Sequence, residues 1–185
     1  MKATEILSSE HRIIERVIAA MDEAIMRLEH DQPVPPEFFL DASDFIKGFA
    51  DGCHHRKEEG VLFDAMSRNG MSMSTGPIAV MLSEHEQGRR YAAGIRQAAT
   101  RLQAGDLTAK EEVIKNARGY ADLLRQHILK EDHILYPMAD RVIPADQQNQ
   151  VVEDFERVEH EETGEGIHEK YLALAEKLER EMAGE

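Results

Sequence analysis

His54-His55-Arg56-Lys57-Glu58-Glu59-Gly60-Val61-Leu62-Phe63 and His127-Ile128-Leu129-Lys130-Glu131-Asp132-His133-Ile134-Leu135-Tyr136 share one pattern, H-x-x-K-E-[E/D]-x-[V/I]-L-[F/Y]. A second match lies upstream of each copy. Ser9-Glu10-His11 sets a histidine 43 positions before His54, and Ser83-Glu84-His85 sets one 42 positions before His127. The chain therefore reads as two helical hairpins, each offering one histidine and then a His-x-x-x-Glu pair. Packed together, two such hairpins make an all-α, antiparallel up-down four-helix bundle with approximate twofold symmetry.

Hydrophobic periodicity outside the repeat agrees. Leu7, His11, Ile14, Ile18, Met21, Ile25 and Leu28 recur at three- and four-residue steps and predict a first helix over 4–29. The prolines after His30 open a second helix, which runs to about Ser67 with Phe39, Ile46, Ala50, His54, Glu58, Val61 and Ala65 on one side. Pro77 starts a third, carrying Met81, His85, Ala92, Ile95, Ala99 and Leu102. Ala104-Gly105-Asp106 breaks it, and Thr108 with Glu111 reads as a capping box for a fourth. That helix sets Tyr120, Leu124, His127, Glu131, Ile134 and Met138 on its apolar face. A further helical stretch starts near Asp146 and bends or breaks at Gly164-Glu165-Gly166. No period of two is convincing, so no sheet is expected. With 185 residues the chain suits a single domain, a bundle over 1–140 and a C-terminal helical extension over 141–185 packed on it.

Residues four apart stack on one helix face, so His54 with Glu58 and His127 with Glu131 each aim an imidazole and a carboxylate at one point. Both pairs lie on apolar faces. An ionised carboxylate in a dry core costs several kcal/mol or more unless it is paired or bound to metal, and two facing glutamates would also repel. Two cations bridged by both carboxylates remove that difficulty. Imidazole and carboxylate without thiolate suit iron or manganese, and zinc also fits. His55 and Glu59 are likewise four apart, but His55 aligns with Ile128 in the second copy. The phase is therefore assigned to His54 and Glu58.

The runs H-H-R-K-E-E-G-V-L-F and H-I-L-K-E-D-H-I-L-Y-P and the two S-E-H segments resemble the hemerythrin-like HHE cation-binding domain, over about residues 4 to 140. The resemblance implies two non-haem iron ions, oxo- or hydroxo-bridged when oxidised. It implies Glu58 and Glu131 as bridging carboxylates and His11, His54, His85 and His127 as terminal ligands. Members of the family bind dioxygen, handle peroxide or nitric oxide, or sense oxygen or iron. Oxygen carriers place two histidines four apart on the third helix, whereas here Arg89 stands four after His85. This implies one nitrogen ligand fewer and open coordination positions. Gly88 and Ala92 on the same face leave room for a small ligand.

In the tail, His160, His168 and Tyr171 are candidates for an extra ligand or a group beside the ligands; the alternative is an acidic amphipathic helix that only covers the bundle. Cys53 reads as a small buried residue, and Tyr120 and Tyr136 as core groups flanking the site. The expected function is that of a di-iron protein binding or turning over dioxygen, hydrogen peroxide or nitric oxide, a catalase- or peroxidase-like oxidoreductase being one version. Alternatives are a non-catalytic iron store, donor or sensor, a ferritin-like oxidase and a purely structural bundle. The oxidase wants a Glu-x-x-His pair on each of two helices, and only Glu165–His168 fits.

Composition narrows the rest. A net charge of −14 argues against nucleic acid as a partner. No run of about 18 apolar residues predicts a membrane span. A single cysteine and the absence of an apolar leader core suggest the cytoplasm.

Overall fold

A computed structural model describes residues 2–163 and 166–184, without the side chains of 161–163. The described residues form helices and loops and no strand. Helix α1 is Ala3–Glu29. Helix α2 covers 36–68, α3 is Gly76–Gln103, and α4 covers 110–142. Two tail helices follow, α5 over 148–163 and α6 at Ile167–Ala183. Pro36 opens α2 at a position whose N–H needs no partner. Gly105 closes α3 at φ 94°, a left-handed conformation open to glycine.

The helices run antiparallel, as polar contacts between their flanks record. Along α1 and α4, Glu29 meets Arg118, Asp22 meets Arg125, Arg12 meets Asp132 and Thr4 meets Asp140. Along α2 and α3, Glu37 meets Gln103, Asp44 meets Arg96 and Glu59 meets Arg89. The apolar interior falls into two cores. The larger one gathers Ile14, Ile18, Met21, Phe38, Phe45, Ile95, Ala117 and Leu124, and α6 adds Ala175, Leu178 and Met182. The smaller one gathers Leu7, Phe63, Met66, Ile78, Met81, Leu135 and Tyr136, and α5 adds Val151 and Phe155. Between them lies a buried polar layer that holds His11, His54, Glu58, His85, His127 and Glu131.

Three stretches of the bundle depart from the α-helical period. Residues Ile46–His55 and Glu58–Leu62 of α2, and Glu131–Leu135 of α4, are π-helical. Bonding from i to i+5 inserts a residue into the turn and shifts every later side chain around the axis. This corrects two expectations. His54 and His55 are both buried, so the two imidazoles do not compete for one inward position. Ile134, expected on the apolar face of α4, is 53% exposed, and Leu135 takes its place in the core. The cap before α4 also differs. A short 3-10 turn over Leu107–Ala109 precedes the helix and is capped by Asp106, whose carboxylate accepts from the Thr108 N–H; the helix itself follows on from Ala109 with no side-chain cap.

The expected break at Gly164-Glu165-Gly166 lies partly outside the described residues; Gly166, at φ 76°, starts α6. Among the described residues no helix is long and apolar enough to cross a membrane.

The π register of α4 makes a stability prediction. Ile134→Asp changes the unfolding free energy by no more than about 0.5 kcal/mol, whereas Leu135→Ala costs about 2–5 kcal/mol. Urea unfolding of the two variants checks this, and the opposite order would restore an uninterrupted α-helix.

Candidate metal centre

The bundle brings His11 from α1, His54 and Glu58 from α2, His85 from α3, and His127 and Glu131 from α4 into the polar layer. All six are at most 1% exposed. Each histidine turns its Nε2 inward. His11 Nε2 lies 3.2 Å from Glu131 Oε2, and His127 Nε2 lies 3.1 Å from Glu131 Oε1. His85 Nε2 is 3.3 Å and His54 Nε2 3.7 Å from Glu58 Oε2. Glu131 thus reaches across the layer, one oxygen toward each hairpin, and Glu58 faces it.

Each Nδ1 is held from behind by a carboxylate, and the four holders are further positions of the repeat. Glu10 accepts from His54 at 2.9 Å and Glu84 from His127 at 2.9 Å, both within a hairpin. Glu59 accepts from His85 at 2.8 Å and Asp132 from His11 at 2.9 Å, both between hairpins. The repeated lysines complete the pattern, since Lys57 is paired with Glu10 and Lys130 with Glu84. So the Glu of S-E-H, the Lys and the [E/D] position after the inward Glu all serve to aim imidazoles. Donation from Nδ1 to a carboxylate fixes the tautomer and leaves the Nε2 lone pair free for a metal. The repeat carried this signal, because these positions match in both copies.

His55 is the functional residue that sequence reasoning missed. It is buried, stacks on His85 at 3.8 Å between ring centroids, and belongs with Glu58, His85 and His127 to a set whose ligand atoms lie within 4.8 Å of one another. A second such set is His11, His54, Glu58 and Glu131. The structure thus places a fifth imidazole in the layer beside the four expected ones. Arg89 stands where a carrier's second α3 histidine would be, but it pairs with Asp51 and Glu59, and α2 supplies the fifth ring instead. Two adjacent histidines were the only trace of this in the sequence; the π turn that lets both face inward has no such marker.

Tyr136 distinguishes the other half. Its hydroxyl donates to Glu58 Oε1 at 2.7 Å and lies 3.2 Å from His11 Nε2. In the other copy the same position is Phe63, which stacks near His85 and offers no hydroxyl.

The structure does not bring His160, His168 or Tyr171 to this layer. His160 is exposed. His168 rests against Phe49, and Tyr171 lies edge-on to Phe45 over Gly48, where a Cβ would stand 1.8 Å from its hydroxyl. The tail acts on the site through Glu159 instead, which accepts from Lys57 Nζ at 2.6 Å. Lys57 is fully buried in consequence, whereas the side chain of Lys130, with no such cover, is 36% exposed. Cys53 is buried, as expected, with its thiol 3.2 Å from the Gly48 carbonyl.

Charge in the layer is finely opposed. Burial and the charge of Glu131 push the Glu58 carboxyl up, but His54 and His85 outweigh them and hold it below the ordinary value. Burial likewise opposes ionisation of Glu131, and His127, His11 and His85 hold it well below. Burial disfavours charge on His11, yet Asp132, Glu131 and Glu58 raise it to about 9. His85 and His127 are raised against burial by the same carboxylates and by Glu59 and Glu84. His55 is pushed down to about 3 by burial and by the neighbouring charge of His85.

Whether cations fit is answered by orphaned atoms. His54 Nε2, Glu58 Oε2 and both oxygens of Glu131 are buried without a hydrogen-bond partner. Each such atom costs about 1–3 kcal/mol, more when charged. All of them face inward, and a nitrogen and oxygen donor set of this kind suits iron, manganese or zinc. The donor set is compatible with metal binding.

The hemerythrin HHE cation-binding domain model matches residues 2–139, which span both hairpins. The chain belongs to that family. Among curated proteins it is similar to the uncharacterized protein Mb2018 of Mycobacterium bovis and the uncharacterized protein Rv1995 of Mycobacterium tuberculosis. Each is 24% identical over 180 residues, covering 97% of this chain and 70% of the relative. No solved structure gives a significant match. Within the hemerythrin fold, then, this chain places its paired histidines side by side on α2 and sheathes one hairpin with its tail.

Two predictions follow from the charges. Lys57→Met removes the cation paired with the buried Glu10 carboxylate and destabilises the protein by about 3–5 kcal/mol, whereas Lys130→Met costs about 1 kcal/mol or less; equal costs in chemical unfolding would remove the tail's role in burying this ion pair. In metal-free protein, His11, His85 and His127 are raised, so their stabilisation is complete below pH 6.5 and is lost as pH climbs, for His11 through about 9. His55, being lowered, subtracts stability as pH falls from 6.5 toward 3. Stability of metal-free protein should therefore peak near pH 6.5, as thermal unfolding against pH will show. A plateau from 6.5 to 9 would contradict it.

Proposed function

We propose that the protein holds two iron ions in this layer and uses them on a small oxygen or nitrogen-oxide species, namely dioxygen, hydrogen peroxide or nitric oxide. His55, His85 and His127 would hold one ion and His11 and His54 the other, with Glu58 common to both groups of ligands and Glu131 beside His11 and His54. The observation that carries the reading is the convergence of five buried imidazoles and two buried carboxylates, several of whose inward atoms have no hydrogen-bond partner. Iron bound there would supply electron exchange with such a species.

The chain's own groups do the rest. Glu10, Glu59, Glu84 and Asp132 keep the four imidazoles in the metal-binding tautomer. The Tyr136 hydroxyl, donating to Glu58 and close to His11, can offer a proton on one side of the layer. Burial pushes its phenol well above the ordinary value, as do the charges of Glu58 and Glu131, so the proton is present across the physiological range. Simple storage or donation of iron is less favoured, because every one of these ligand side chains is buried and none stands on an exposed face from which an ion could be handed on.

The protein loaded with ferrous iron should contain two iron ions per chain, and its ultraviolet–visible spectrum should change on adding peroxide, nitric oxide or azide. Metal analysis and optical titration measure both. Loading at pH 6.5 or below should release protons from His11, His85 and His127, whose protonated forms the neighbouring carboxylates favour, detectable by calorimetry in buffers of different ionisation enthalpy. A Glu58→Leu, Glu131→Leu double variant should fold and take up no iron. Protein that binds no more than adventitious iron, or a double variant that binds as wild type, rules the proposal out.

A further inference from the structure

A cavity of about 360 Å³ opens between α2 and α3 and ends on the polar layer. Ile46, Gly88 and Ala92 make its apolar walls, and His55 and Tyr120 close its inner end. His55 belongs to one of the two ligand sets, so the cavity meets the site on that side and not on the side of Tyr136. Tyr120 is 2% exposed, and its hydroxyl is buried with no hydrogen-bond partner. Burial, with the nearby charge of Asp51, raises its phenol far above the ordinary range, which leaves a donor and not a phenolate. A buried hydroxyl without a partner is costly, and here it stands in the wall of a cavity next to a metal ligand.

The volume is the second observation. A water-sized molecule takes roughly 30 Å³, so dioxygen or hydrogen peroxide would leave most of this space empty. Pockets that hold organic ligands run from about 300 to 1,000 Å³. Gly88 keeps the inner part wide: a Cβ there would come only into ordinary contact with Tyr120 and Leu124, at 3.7 and 3.8 Å, so the glycine is not forced by packing. We infer that this cavity is an organic subsite of the centre, which seats the carbon body of an organic hydroperoxide along Ile46, Gly88 and Ala92 while Tyr120 donates a hydrogen bond to its oxygen beside His55. The inference deepens the proposed function and rests on it for the identity of the oxygen group.

Cumyl alcohol, the redox-inert counterpart of an aromatic hydroperoxide, is the probe. It is titrated by calorimetry into metal-free and iron-loaded protein, with azide titrated optically into the iron-loaded form in parallel. Wild type should bind one equivalent in both forms. Ala92→Phe, which fills the half-exposed outer wall, should weaken binding at least tenfold; Ala92→Leu serves if the larger ring prevents folding. Tyr120→Phe should weaken it roughly threefold to tenfold, with iron content unchanged. No binding by wild type, or equal binding by wild type and the Ala92 variant, overturns the subsite, and equal binding by Tyr120→Phe overturns the donor. An azide response without alcohol binding sinks this inference alone. Failure to take up iron sinks the proposed function, while the metal-free titration still decides whether the cavity seats the alcohol.

Discussion

Glu58 and Glu131 face each other in the middle of the bundle with no solvent access. Two carboxylates so placed repel, and neither recovers the hydration it gave up on folding. Every other polar group in the layer answers that condition. Imidazoles approach from all four helices, and a second ring of carboxylates holds the imidazoles. Buried or half-buried lysines hold two of those carboxylates in turn. The result is a shell of alternating charge, negative at the centre, that is only partly balanced by protons. Divalent or trivalent ions balance it better, because they satisfy the orphaned atoms as well as the charge.

The duplication makes two halves with the same shell, and two positions make them different. His55 adds a third imidazole to the half containing His85 and His127, where the other copy has Ile128. Tyr136 adds a hydroxyl to the half containing His11 and His54, where the first copy has Phe63. One half is thus richer in neutral nitrogen donors and the other carries a proton donor. The two halves of the layer are therefore chemically unequal although the repeat that builds them is shared.

Packing enforces the same asymmetry. The tail helices put Phe155 and Leu178 into the two cores, and Glu159 reaches Lys57. The hairpin of α1 and α2 is covered, and the cavity between α2 and α3 stays open beside His55 and Tyr120. The tail therefore covers one side of the layer and leaves the side beside His55 and Tyr120 to the cavity.

The sequence by itself determined the bundle and most of the centre. Period-3.6 apolar faces require helices, and a four-residue step between His and Glu requires a shared face. A charged residue repeated on an apolar face requires a partner, which is why His11, His54, Glu58, His85, His127 and Glu131 could be named. Glu10, Glu59, Glu84 and Asp132 were also written there, as matched positions of the repeat, but only contact between hairpins shows what they hold. Tertiary structure alone decided the phase of the π segments. A π turn is a local fault in bonding whose cost is met by packing elsewhere, so no residue type announces it. That fault turned His55 inward, pushed Ile134 out and drew Leu135 into the core. Tertiary structure likewise decided that His160, His168 and Tyr171 stand away from the layer, because the path of a connecting segment depends on which bundle face has apolar surface left to cover.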